Sequence, residues 1–128
     1  LLSQRQTFKK EERISAKKEI DLLFDKGLSF SAYPLRIIYT EKDFSETPSS
    51  ILISVPKKRT KLAVNRNRIK RLIRESYRLN KADLVQFLNT NNKGVMIAFI
   101  FIGNNLPSHS DIEPAMIKAL KLLQDKLS

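Results

Sequence analysis

At 128 residues and 41% apolar composition, the chain can bury one hydrophobic core and is too apolar for a disordered tail. A formal net charge of +11 directs attention to polyanionic partners, namely RNA, DNA or an anionic membrane surface. The absence of cysteine excludes disulfide and thiolate chemistry and fits a reducing cytoplasm.

The expected elements, in chain order, make one domain over 1–128. Residues 1–14 read as a polar, basic arm with Phe8 embedded in it. Its opening, "LLSQRQTFKKEERIS", lacks the apolar core of a signal peptide. The missing initiating Met suggests a trimmed start. A short helix is expected over 15–26, capped by Ser15, carrying Ile20, Leu23 and Phe24 on one face and closed by Gly27. "FSAYPLRIIYT" reads as a strand with Pro34 near its start or on an edge. After the loop "EKDFSETPSS", "ILISV" is a second strand that Pro56 ends. A basic helix follows over 63–81, then a turn at "LNTNNKG" and a wholly apolar strand, "VMIAFIFI", expected to be buried on both faces. The last helix spans 111–127 with Asp111 as its cap and Pro114 in its first turn. Met116, Ile117, Leu120, Leu123 and Leu127 form its apolar stripe. The order α-β-β-(β)-α-β-α describes an α+β fold, a two-layer α/β sandwich with helices on one sheet. No apolar run approaches the roughly 20 residues that span a bilayer.

The positive charge is concentrated. Between Pro56 and Lys81 there are eleven Lys or Arg residues and one acid, Glu75; the rest of the chain holds thirteen bases and twelve acids. Stepping about 100° per residue from Ile69 puts Leu72, Ile73 and Ser76 on one face of the basic helix. Asn67, Lys70, Arg71, Arg74, Arg78 and Lys81 fall on the opposite half, with Arg66 and Arg68 flanking the start. A solvated charged face normally mixes signs at i,i+4 spacing. This one lacks the acids to do so, and its guanidinium forks suit phosphate oxygens and base faces. A membrane-surface helix would need a bulky exposed apolar face, whereas the Ile and Leu here are committed to the core. A DNA-reading helix would normally sit in a helix-turn-helix or dimer frame, and strands flank this one.

The segment "AVNRNRIKRLIRESYR", with "PKK" upstream and "IRE" after its core "RNRIKR", resembles the signature helix of the bacterial ribonuclease P protein subunit. A helix ending in "LFDKG", a strand ending in "IIYT" and the final amphipathic helix extend the likeness over most of the chain. The resemblance implies a left-handed crossover, an exception to the usual right-handed rule. It also implies a role in 5′ maturation of precursor tRNA, with hydrolysis carried out by an RNA subunit and its bound Mg2+. Arg66, Asn67, Arg68, Lys70 and Arg71 match the signature and would contact the catalytic RNA, with Arg74 and Arg78 continuing that ridge. Phe24, Tyr39, Lys57 and Lys58 would line a cleft for the 5′ leader, between the sheet and the first helix. Core packing of Phe24 and an ordinary strand position for Tyr39 remain open alternatives. Two features depart from the family pattern: Ile20 replaces a second cleft aromatic, and "RTKL" replaces a shorter glycine-containing link.

Nothing in the residues suggests a protein active site. His109 is the only histidine, and the acids fall in scattered pairs rather than in a metal-binding pattern. The resemblance implies ribonuclease P RNA and precursor tRNA as partners, with no membrane and no protein partner. A ribosomal or other structural RNA-binding protein is the competing reading, and an autonomous nuclease the one from a different class.

Overall fold

The computed structural model describes residues 12–128. Most of the expected basic arm, residues 1–11, therefore lies outside the described residues. The elements are α1 (Lys17–Lys26), β1 (Leu28–Ala32), β2 (Leu35–Lys42), β3 (Ser49–Ser54), α2 (Ala63–Asn80), α3 (Ala82–Asn91), β4 (Gly94–Phe101) and α4 (His109–Leu127).

The apolar β4 organises the sheet. It pairs antiparallel with β2, from Leu35↔Phe101 to Lys42↔Gly94, and parallel with β3, from Ser49↔Val95 to Ser54↔Ile100. β1 pairs antiparallel with the free side of β2, giving the order β1-β2-β4-β3. Side chains alternate between sheet faces. Leu35, Ile37 and Tyr39 of β2, Ile51 of β3 and Val95, Ile97, Phe99 and Phe101 of β4 enter the main core with α2, α3 and α4. Ile38, Leu52, Met96 and Ala98 face the other way, against Ile14, Ile20 and Leu23 from α1 and its approach. Because β4 is covered on both faces, its sequence needs no polar alternation.

Several boundaries differ from the sequence expectation for identifiable reasons. The single strand expected around Pro34 is a hairpin, β1–β2, with the Tyr33–Pro34 pair (a cis peptide) in its turn. A turn accommodates a residue without an N–H better than a ladder does. The "LNTNNKG" turn begins only at Asn92, because α3 occupies 82–91. Asn92 adopts the left-handed conformation (φ 52°), and its N–H and that of Lys93 reach back to Leu88 O, which closes α3. α1 starts at Lys17 with Ala16, not Ser15, at its cap position, whereas Gly27 closes it as expected by donating to Leu23 O. A Cβ at Gly27 would lie 2.3 Å from Leu23 O and 2.5 Å from Ile38 Cγ2, so close packing excludes a side chain there.

The last helix begins two residues before the expected start, with Ser108 as its cap. Asp111 is its third residue and accepts from Ser108 N at 2.9 Å, making a capping box rather than the cap itself. Pro114 is consequently inside the helix, past its first turn. Ile117 is half-exposed; Ile112, Ala115 and Ala119 complete the buried stripe in its place.

Residues 12–14 close the outer edge of β3. Ile14 N donates to Ile51 O at 2.9 Å, and Arg13 bridges Ile51 in parallel. An unpaired strand edge invites intermolecular pairing, and this short segment covers part of it.

Candidate nucleic-acid interface

The basic face is positioned by what lies beneath it. Ile69, Ile73, Ser76 and Tyr77 of α2 are fully buried, while Leu72 packs only partly against the core. Tyr77 meets Ser49 Oγ at 2.6 Å through its hydroxyl and packs against Phe99, which ties the helix to both parallel strands. Burial pushes the Tyr77 phenol far above its ordinary pKa and keeps it neutral.

With that underside fixed, Asn67, Arg68 and Arg71 are exposed and Lys70, Arg74 and Arg78 partly so. Among the described residues, Arg68, Lys70 and Arg71 form no ion pair. No acid lies in the first turn of α2 and no side chain caps it. The positive end of the helix dipole therefore reinforces the charge of Arg66 and Arg68.

Not every expected member of the ridge is equally available. The Arg66 guanidinium donates to Thr60 O at 3.0 Å and to Lys61 O at 2.7 Å, bracing the loop that enters the helix. Arg59 braces the same connection from the other side, donating to Ile102 O at 3.0 Å and Asn104 Oδ1 at 3.1 Å. Together they fix the course of "RTKL". Arg78 donates to Glu75 at 2.8 Å. This hydrogen bond holds the Glu75 carboxyl below its usual range and raises the Arg78 guanidinium. Lys81, expected on the ridge, instead turns toward Glu12 at 2.7 Å, with both side chains largely buried. A one-sequence reading could not see this pairing, because the partners are 69 residues apart.

The second expected surface lies on the α1 side of the sheet. Phe24 is 45% exposed, so it is not a core residue. Tyr39 is 7% exposed and sits on the opposite face, edge-on to Phe30 at 6.0 Å. Its expected place in the cleft is corrected by strand alternation: Ile38, its neighbour, is the residue directed toward α1. α1 covers only part of this face. Toward the end where β2 begins, Arg36 is exposed and Ser54 and Ile100 are partly exposed. Lys57 and Lys58 are exposed in the turn that follows β3 at that same end.

Among the described residues no group of three or more histidines and acids could hold a metal ion, and no helix is long and apolar enough to cross a membrane.

The ribonuclease P family model matches residues 8–121, nearly the whole chain. The chain belongs to the ribonuclease P protein family. The ribonuclease P protein component of Porphyromonas gingivalis (strain ATCC 33277) is 43% identical over 112 residues, covering 87% of this chain and 82% of the relative. That of Clostridium botulinum (strain Langeland) is 37% identical over 113 residues, covering 88% and 94%. The fold agrees with that of the Staphylococcus aureus RNase P protein, with a TM-score of 0.66 at 23% identity over 88% of this chain and 94% of that one. The Thermotoga maritima RNase P protein, solved with 1-(4-fluorophenyl)-2-thiourea, gives 0.59 at 20% identity over 85% and 97%. As a ribonuclease P protein, the chain is the protein part of a ribonucleoprotein enzyme that matures the 5′ end of precursor tRNA, and the RNA subunit carries the chemistry.

Proposed function

We propose that the exposed face of α2 docks on ribonuclease P RNA, and that the partly uncovered face beside α1 receives the 5′ leader of precursor tRNA. The cationic face around Arg68, Lys70 and Arg71 carries this reading, since it lacks intramolecular carboxylate partners among the described residues. Such a face repels itself until a polyanion neutralises it. Binding releases condensed counterions, and each phosphate contact adds to affinity without demanding a base sequence. Asn67 and Arg74 extend this surface. Arg66 contributes charge while bracing its loop, and Arg78 does so from its bond with Glu75. On the second surface Phe24 offers a ring for stacking an unpaired base, and Lys57 and Lys58 supply charge for the strand's phosphates.

The protein's part in catalysis is to place cations where two RNAs crowd their phosphates together. Mg2+ held by the RNA subunit would do the same, so the two should substitute for each other in part. Reconstituted cleavage measured across a magnesium series tests this. The protein should accelerate cleavage most at the low-magnesium end, and equal rates with and without it there would overturn the reading. The family likeness also favours a left-handed connection from β3 through α2 and α3 to β4. The lack of cysteine suits a reducing cytoplasm, where we place the complex.

A further inference from the structure

A second recess lies outside both surfaces, at the end of the sheet where β1 finishes and β2 begins. It is an open depression of about 310 Å³ between the β1–β2 turn and the loop after β4. That is at the small end of the roughly 300–1,000 Å³ usual for ligand sites, which suits one planar ring system better than a whole cofactor. Its floor is Phe101, 1% exposed, and Gly103. A Cβ at Gly103 would stand 2.5 Å from Phe101 Cζ, so only glycine lets the loop lie against that ring. Tyr33, 67% exposed, lines it together with Asn104, Asn105 and Leu106.

The surroundings say what kind of ring. The Arg59 guanidinium donates to Asn104 Oδ1, so the basic turn Lys57–Lys58–Arg59 and the recess share a wall. Arg59 uses only Nη1 for its bonds to Ile102 O and Asn104, and its Nε and Nη2 donate to nothing among the described residues. The Asn105 amide, which makes no hydrogen bond among the described residues, offers the donor–acceptor pair that suits a base edge. The carboxylate in the lining, Asp111, is occupied by Ser108 N and Oγ at 2.9 and 3.1 Å. Ring stacking surfaces beside free cationic donors are the usual means of holding single-stranded nucleic acid.

We propose that this recess takes one unpaired nucleobase of the precursor's 5′ leader, stacked on Tyr33, with Arg59 on the adjoining phosphate. The inference rests on the leader reading above. A strand crossing the open face by Arg36, Ser54 and Ile100 leaves the sheet at the end that bears Lys57–Arg59, and the recess lies around that rim. The proposal places in it a nucleotide farther from the cleavage site than those in the cleft.

The test uses the holoenzyme reconstituted with wild-type protein, Tyr33→Ala or Tyr33→Phe. Binding is measured for precursors whose leaders run from one ending within the cleft to one long enough to pass it. Tyr33→Ala should weaken binding of the longest leader about tenfold, within the range for losing one stacked base. It should leave the shortest leader unaffected, and Tyr33→Phe, which keeps the ring, should restore affinity. Equal affinities for all three proteins at every length would overturn the recess alone. A loss independent of leader length, matched by weaker binding to the RNA subunit, would assign the recess to that RNA and refute the leader. Failure of the wild-type protein to aid cleavage of even the shortest-leader substrate would instead sink the functional reading beneath.

Discussion

Arg66 and Arg68 are two residues apart in one motif, yet the structure gives them different tasks, and that difference can be measured. Arg68→Ala removes an exposed guanidinium that bonds to nothing else among the described residues. It should leave the melting temperature unchanged, since surface substitutions of this kind stay within about 0.5 kcal/mol. It should flatten the slope of log affinity for the catalytic RNA against log salt by about 0.7–0.9, the share of one phosphate contact. Between about 50 and 200 mM salt, wild type should therefore lose about threefold more affinity than the variant. Arg66→Ala also strips the donor from Thr60 O and Lys61 O. Water can reach that partly exposed loop, so the loss falls below the full value of charged hydrogen bonds, at about 1 kcal/mol. For a chain of this size that corresponds to a melting temperature lower by about 3–5 °C. Filter binding across a salt series and thermal melting by circular dichroism together separate the two. An unaltered salt slope in Arg68→Ala, or equal melting temperatures for both variants, would refute the division of labour.

Other expectations follow from the same geometry. Ile69→Ala empties a fully buried site beneath the basic face and should cost about 2–5 kcal/mol in urea unfolding. Glu12→Gln removes the charge of one carboxylate that the largely buried Lys81 ammonium bonds, and should lower the urea-derived stability by about 1–3 kcal/mol. Glu75→Gln removes the carboxylate that Arg78 bonds, so RNA affinity should rise and its salt slope steepen. Because the folded-state pKa of Glu75 is lowered, its stabilising contribution is present above the ordinary carboxylate range and fades as pH falls through the lowered value. Stability curves of wild type and Glu75→Gln should therefore converge in acid.

The elements with unmixed patterns were legible from the residues. The apolar run of β4, the phase of α2 around Ile69 and the stripe of α4 around Met116 each follow from one periodicity. α3 was not, because Leu84 and Leu88 are its only fully buried residues and its asparagines imitate a turn. Tyr39 shows how little separates a cleft residue from a core residue in a strand, since a shift of one position changes the face. The positive charge of the site was visible in composition. The long-range bonds that decide which cations stay available, Arg59 to Asn104 and Lys81 to Glu12, depend on the tertiary fold and leave no local signal.

The strands that border α2 and α3 in sequence, β3 and β4, are neighbours in the sheet and run the same way. Pairing parallel partners requires closing the whole intervening segment into one loop, and closing so long a loop slows assembly. The helix proposed to face RNA is thus held between two strands that must pair with each other across it. A transcript that engages it before that step is complete would draw the equilibrium toward the finished protein by mass action, making the ribozyme a folding partner as well as a client.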